Sequence, residues 1–299
     1  MDILTIKSLH KSFGDKSVLC GLDLSVPEHS VYGFVGRNGA GKTTTMKAIL
    51  GLLKTDGGEI YVAGERVSYG QTPTNRFIGY LPDVPEFYSF MTAREYLTLC
   101  GESLNMKKSE IGARTEELLT LVGLADENHR IKGYSRGMKQ RLGIAQALFA
   151  RPKLLICDEP TSALDPIGRK EILDLLYSVR EQTTVLFSTH ILSDVERICT
   201  DVALINDGKI AMRGTVDELM RITSSEQFAI ELMDGEQAQL ILDQFDNVHK
   251  SENGVLMLKG GEAQLYSALD FMRHNGISLR KLERFGASLE SVFEEVVKK

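Results

Sequence analysis

A chain of 299 residues, 42% hydrophobic and 25% charged, is longer than one compact core usually runs and too apolar for a disordered or fibrous protein, so one large domain with a smaller companion is expected. A formal net charge of −6 offers no overall attraction for nucleic acid, and none is expected as a partner. The four cysteines, Cys20, Cys100, Cys157 and Cys199, stand apart without any Cys-x-x-Cys spacing, which argues against a zinc site or a disulfide framework and for reduced thiols.

The opening MDILTIKSLHKSFGD lacks the basic-then-apolar order of a secretion signal, and no apolar run approaches the roughly 20 residues that a spanning helix needs. SVYGFVG at 30–36 is apolar without alternation and stops at glycine, the pattern of a strand covered on both faces in a parallel sheet. GRNGAGKTT at 36–44 follows at once and matches G-x-x-x-x-G-K-[ST], and Met46, Ile49, Leu50 and Leu53 then supply the apolar stripe of an amphipathic helix. Strand, glycine loop and helix are the context in which that motif binds phosphate. Gly36, Gly39 and Gly41, with Asn38 and Thr44 in the same loop, let backbone N–H groups converge on phosphates. Lys42 can neutralise the outer phosphates, and the Thr43 hydroxyl can ligate magnesium.

From Pro82 to Phe149 the texture turns helical, and an insertion over about 83–150 is expected. Thr92 with Glu95 forms a capping box, 110–122 reads as a second helix, and Ser135 opens a third with Met138, Leu142, Ala145 and Phe149 along one stripe. At its start GYSRGMKQRLG combines a serine cap, a glycine in the first turn and basic residues, the attributes of a second anion site. One chain thus carries two phosphate cradles.

KLLICDE at 153–159, TVLFSTH at 184–190 and DVALIND at 201–207 repeat the buried-strand pattern with helical segments between them, so the core is α/β. Asp158 ends the first of these where it can hold a magnesium shell, and Glu159 beside it can polarise an attacking water. Two acids at a strand end also read as a solvated turn, and His190, ending the next strand, reads as a structural histidine or as a phosphate ligand. Beyond 220, FAIEL at 228–232 alternates, 236–245 looks helical and 248–258 carries the hairpin signal Asn253-Gly254. A helix at 262–275, a strand at 277–282 and a last helix from Ser288 complete the order of a split βαβ domain without a catalytic constellation. Domains of 1–220 and 221–299 are expected, the second a small α+β unit.

Taken in order, these elements resemble the ATP-binding cassette (ABC) ATPases, a P-loop NTPase family, over roughly residues 1–220. Residues 36–44 match Walker A, 134–138 the signature turn, 154–159 Walker B, 162–165 the D-loop, and His190 the switch histidine. The resemblance implies ATP and Mg2+ as ligands, with Glu159 as general base, Lys42, Thr43 and Asp158 holding phosphates and magnesium, and His190 on the γ-phosphate. It also implies a head-to-tail homodimer in which Ser135 and Gly137 grip the partner's γ-phosphate and Asp165 couples the two sites, which accounts for the second cradle. Phe13 lies where the family stacks an aromatic on adenine, although by itself it reads equally as a core phenylalanine.

Two departures stand out. The signature reads Tyr-Ser-Arg-Gly-Met instead of Leu-Ser-Gly-Gly-Gln, and in GYLPDVPEF Asp83 occupies the place of a glutamine that touches magnesium and the catalytic water. A carboxylate can approach magnesium but adds negative charge near phosphates and donates no hydrogen bond. The resemblance further implies a separate integral-membrane permease, gripped near the loop after Asp83, and a peripheral location on the cytoplasmic face of the membrane. The C-terminal KLERFGASLESVFEEVVKK resembles the tail of bacterial drug, lantibiotic, sodium and polymer exporter ATPases, and also reads as a packing helix capped by Ser288. The alternatives are a non-transport ABC ATPase acting on ribosomes or DNA, and a nucleotide-binding regulator without turnover.

Overall fold

The computed structural model describes residues 1–70, 73–222, 227–251, 254–285, 289–290 and 293. The chain divides into two compact units, Met1–Val216 and Asp217–Lys299.

The first unit opens with β1 (Asp2–Phe13) and β2 (Lys16–Pro27), an antiparallel pair closed by a turn in which Gly14 takes a left-handed φ of 57°. Alternate residues Leu22, Leu24 and Val26 point into the core, as do Leu4 and Ile6 opposite them. β3 (Val31–Val35) is buried at every position and leads through the glycine loop into α1 (Lys42–Ile49). α1 stops short of the expected stripe: Leu50 donates its N–H to Met46 O, Gly51 turns to φ 67°, and Leu53 falls beyond the helix. β4 (Gly57–Val62) and β5 (Glu65–Arg66) complete an antiparallel sheet of order β2-β1-β4-β5, and β6 (Ile78–Leu81) enters a second one.

The helical insertion follows as α2 (Ala93–Ser103), α3 (Lys108–Leu121) and α4 (Arg136–Leu148). α2 starts at the expected capping box, with Glu95 N–H on the Thr92 hydroxyl and Thr92 N–H on the Glu95 carboxylate. α4 starts at Ser135, whose Oγ accepts from Met138 N at 3.2 Å. β7 (Leu154–Asp158), α5 (Pro166–Ser178), β8 (Thr184–Thr189), α6 (Leu192–Ile198), β9 (Asp201–Asn206) and β10 (Lys209–Thr215) then build a six-stranded sheet of order β10-β9-β3-β8-β7-β6. All its pairings are parallel except the β10 edge. β7 and β8 are buried throughout, as non-alternating apolar runs require. Met46 and Ile49 of α1 share one core with Leu4, Leu22, Phe34, Ile156 and Leu186, so the helix behind the glycine loop is clamped between the two sheets. At about 1.5–3 kcal/mol for each large apolar side chain buried, that clamp fixes the loop's exit direction.

α7 (Val216–Ile222) spans the boundary between the units. The second unit holds β11 (Gln227–Leu232), α8 (Ala238–Gln244), β12 (Val248–Lys250), β13 (Leu256–Lys259), α9 (Glu262–His274) and β14 (Leu279–Phe285). Its antiparallel sheet has the order β12-β13-β11-β14, a split βαβ, with Phe228, Ile230, Leu256 and Leu258 facing Ile241, Leu265, Ala268 and Met272. Gly254 takes φ 82° between β12 and β13, and its expected companion Asn253, like the Ser288 cap, lies outside the described residues. Among the described residues no helix is long and apolar enough to cross a membrane.

Candidate active site

The site forms where β3, β7 and β8 end side by side. Gly36 donates its N–H to Thr189 O of β8 at 3.3 Å, and a Cβ there would lie 2.6 Å from both Cγ2 and the carbonyl oxygen of Ile205, so packing alone demands glycine. Gly41 adopts φ 112°, open to glycine at little cost, and Gly39 at φ 84° has no heavy atom within 4 Å of where a Cβ would stand. The loop therefore curls around open space. No side chain caps the first turn of α1, which leaves its N–H groups and the positive end of its dipole to an anion.

Lys42 runs back under the loop with its side chain only 6% exposed, donating to Gly36 O at 2.7 Å and lying 3.2 Å from Glu159 Oε1. A buried ammonium requires such partners. Asp158, at the buried end of β7, accepts the Ser188 hydroxyl at 2.6 Å, while Glu159 N–H donates to the same Ser188 Oγ at 3.0 Å. Glu159 itself sits at φ 47°, a backbone conformation uncommon for a non-glycine residue, and its second carboxylate oxygen meets His190 Nδ1 at 2.9 Å. The lysine, glutamate and histidine thus form one contiguous chain beside the phosphate loop.

Asn38, Gly39, Gly41, Lys42, Thr43, Thr44, Asp83, Asp158 and Glu159 line a cavity of about 380 Å3. The structure brings together the expected phosphate loop from Asn38 to Thr44, Asp83 and the two acids at the end of β7, with His190 joined through Glu159 and Gly36 through Lys42. Phe13, Ser135, Gly137 and Asp165 do not line it. Phe13 is 51% exposed with the Lys11 ammonium 5.1 Å from its ring centroid, which excludes the core-phenylalanine reading. Asp165 caps α5 by accepting from Gly168 N, and Ser135 caps α4 while keeping its hydroxyl hydrogen to donate. A cavity of similar size, about 370 Å3, lies on the second unit's sheet among Ala229, Glu231, Ser251, Val255, Met257, Lys281 and Glu283. Among the described residues it has no glycine loop and no helix N-terminus, so chemistry, not volume, separates the two.

The donor set suits a divalent cation held jointly with phosphates. Among the described residues no group of three or more His, Cys, Asp or Glu is placed to hold a metal by protein ligands alone. Thr43, Asp158 and Asp83 offer oxygen donors beside the phosphate loop, the arrangement that magnesium takes when substrate phosphates complete its shell.

Ser188 and Gln140 escaped the sequence reading, which noted Arg136 only as a departure in the signature turn. Ser188 ties Asp158 to the Glu159 backbone, and its signal was a lone hydroxyl inside an apolar strand two residues before His190. Gln140, fully buried on α4, donates to Asp83 O at 3.1 Å and Pro160 O at 3.2 Å. Arg136 reaches the Asp83 carboxylate at 3.4 Å. Gln140 carries no one-dimensional signal and Arg136 only its place in the altered signature turn, because both contacts join segments far apart in sequence.

Comparison with known proteins gives concordant results. The family described as "ABC transporter" matches residues 19–162. The chain is 38% identical to the uncharacterised ABC transporter ATP-binding protein YxlF of Bacillus subtilis strain 168, covering 99% of both chains. It is 35% identical to the bacitracin transport ATP-binding protein BcrA of Bacillus licheniformis, covering 99% of this chain and 97% of that one. A solved structure described as the ATP binding subunit of an ABC transporter superposes with a TM-score of 0.65 at 31% identity, over 74% of this chain and 92% of the other.

Proposed function

The chain belongs to the ABC transporter family as an ATP-binding and ATP-hydrolysing subunit, and from that premise we propose that it works as a head-to-tail homodimer driving export through a separate permease. The observation that carries the catalytic part is the contact chain Lys42, Glu159, His190, set beside Asp158 at the end of the glycine loop. Glu159 takes the proton as a water oxygen bonds to the γ-phosphorus and the bond to the β,γ-bridging oxygen breaks, releasing ADP and inorganic phosphate. Lys42 and His190 turn from Glu159 to the γ-phosphate, and the N–H groups of residues 39–44 cradle the β-phosphate. Thr43 and Asp158 would hold magnesium, which supplies charge neutralisation of the phosphates, while the Asp83 carboxylate at the cleft's edge is engaged by Arg136.

Four assigned residues lie off the cleft, and a second copy gives three of them work. Ser135 and Gly137 at the start of α4 serve the partner's γ-phosphate, and Asp165 couples the two composite sites, while Phe13 takes the adenine of its own chain's nucleotide. The loop between β6 and α2 exposes Val84, Tyr88 and Phe90, with Phe87 packed edge-on against Tyr96 at 5.0 Å, and this apolar surface next to Asp83 suits a permease contact. The bacitracin transport relative favours a transport role, the likeness of the C-terminal segment to exporter ATPases favours export, and with a permease as partner the subunit works on the cytoplasmic face of the membrane. The reading on ribosomes or DNA has no such support.

Ser135→Arg tests the shared site. It leaves nucleotide binding by the isolated chain unchanged and abolishes ATP-dependent dimers in light scattering; dimers that persist sink the head-to-tail arrangement. Purification of tagged chain from its native membrane brings down an integral-membrane partner, and co-sedimentation with ribosomes without one would overturn the transport reading.

A further inference from the structure

The cleft that receives a polyphosphate is lined by three carboxylates, Asp83, Asp158 and Glu159, and among the described residues lining it Lys42 is the one cation. Two of the acids are accounted for within the cleft: Asp158 accepts the Ser188 hydroxyl, and Glu159 lies between Lys42 and His190. Asp83 finds its counter-charge outside the lining, in the Arg136 guanidinium 3.4 Å away on the first turn of α4. Both side chains are more than two-fifths exposed, which by itself describes an ordinary surface pair.

The backbone beneath them is not ordinary. Gln140, one turn along α4, is fully buried and donates to the carbonyl of Asp83 itself, so the loop that presents the carboxylate is fastened to the helix that presents the guanidinium. The reach of Arg136 to Asp83 is therefore set by the fold. Asp83 and Arg136 are also two of the positions where the sequence departs from the pattern it resembles, a carboxylate for an amide and a guanidinium for a hydrogen, and these departures touch. Each charge alone is a liability: a bare carboxylate repels phosphate, and a bare guanidinium sits at the positive end of a helix dipole.

We propose that Arg136 is a positioning residue that neutralises Asp83 and draws its carboxylate to the α4 side of the cleft, so that MgATP enters without meeting an uncompensated third acid. The pair works as one unit, and its role rests on the reading of this cleft as the MgATP site. Arg136→Ala is then harmful only while residue 83 is an acid.

The test is a double-mutant cycle on the full chain, with equilibrium binding of MgATP measured for wild type, Arg136→Ala, Arg136→Lys, Asp83→Asn and Arg136→Ala with Asp83→Asn. Arg136→Ala weakens binding by about three- to fivefold, the upper range for an exposed pair. Arg136→Lys stays within about twofold of wild type, and in the Asp83→Asn background Arg136→Ala changes affinity by less than about 1.5-fold. The defect fades in 0.5 M salt, where the Debye length falls to about 4 Å. A merely structural role for Arg136 moves none of these readouts selectively, and thermal melts confirm that each variant is folded. Equal effects of Arg136→Ala in both backgrounds, or none in the wild-type background, overturn the pair while leaving the MgATP site standing. A wild-type chain that fails to bind MgATP overturns the reading of the cleft and the pair with it.

Discussion

Replacing Glu159 by glutamine separates catalysis from binding, and the structure sets the size of each effect. The carboxylate is 15% exposed, with one oxygen 3.2 Å from Lys42 Nζ and the other 2.9 Å from His190 Nδ1. Glutamine keeps the volume and one acceptor but loses the charge and the basicity. A positioned general base is worth about 10²–10⁴ in rate, or roughly 3–5 kcal/mol at 1.36 kcal/mol per decade, so phosphate release at saturating MgATP falls by that factor. Binding moves the other way. In the nucleotide-free chain Glu159 holds Lys42 with a gross attraction of about 5 kcal/mol at this separation and an effective dielectric near 20, most of it offset by the desolvation of both groups. Without that competitor Lys42 is free for phosphate, and MgATP affinity stays level or rises by up to about tenfold, since the net worth of such a pair is a small part of its gross attraction. Phosphate-release kinetics and equilibrium binding on the same preparation check both halves, and size-exclusion chromatography with MgATP detects the trapped dimer. Unchanged turnover removes Glu159 as the base. Affinity lowered by tenfold or more refutes the competition between Glu159 and phosphate for Lys42.

Phe13→Ala lowers ATP affinity by about five- to thirtyfold, the worth of one stacked base, while its thermal midpoint stays put because the ring is 51% exposed; a lowered midpoint with unchanged affinity would return Phe13 to a packing role. Gly79→Ala on β6 forces a Cβ to within 2.2 Å of Ala147 O at the end of α4, a backbone contact that cannot swing aside. A loss of about 1–3 kcal/mol in chemical denaturation is expected, and none would mean that β6 does not lie against that turn. Burial pushes the Cys100 thiol up to about 11 and also raises Cys157 and Cys199 well above the ordinary thiol range, so all three stay protonated at neutral pH and become nucleophilic only as pH climbs toward their raised values. Mass spectrometry after brief alkylation of the native chain at pH 8 finds one modified thiol, Cys20, and four after denaturation; rapid native labelling of Cys157 would contradict the packing of β7.

Much of this was legible because the chemistry is local. A glycine loop between a buried strand and a helix declares itself in nine consecutive residues, and the acids after LLIC and the histidine after LFST mark strand ends that the fold then sets side by side. The antiparallel sheet of β1, β2, β4 and β5 was not read, although Leu22, Leu24 and Val26 alternate, because β1 buries the adjacent pair Ile3 and Leu4 and shifts register along its length. α1 was read too long because the apolar stripe continues to Leu53 while Gly51 ends the helix; a left-handed glycine outweighs periodicity. The contacts of Arg136 and Gln140 with Asp83 were invisible for a different reason: the partners lie 53 and 57 residues apart, and only the tertiary fold joins them.

Gln140 shows what such long-range contacts do for the site. A fully buried amide whose Oε1 has no partner among the described residues costs about 1–3 kcal/mol of unmet hydrogen bonding, and a methionine of similar length would fill the same space without that penalty. What the amide provides is the bond from one nitrogen to both Asp83 O and Pro160 O. Pro160 follows Glu159, Asp83 precedes the exposed loop of Val84, Tyr88 and Phe90, and Gln140 itself rides on the helix that Ser135 opens. The turn after Glu159, the apolar loop and the helix that Ser135 opens therefore share one fastening point. A shift of the Glu159 turn, as Lys42 and His190 leave it for phosphate, cannot stay local without breaking those two hydrogen bonds. The unmet oxygen is the cost of a connection that no apolar side chain can make.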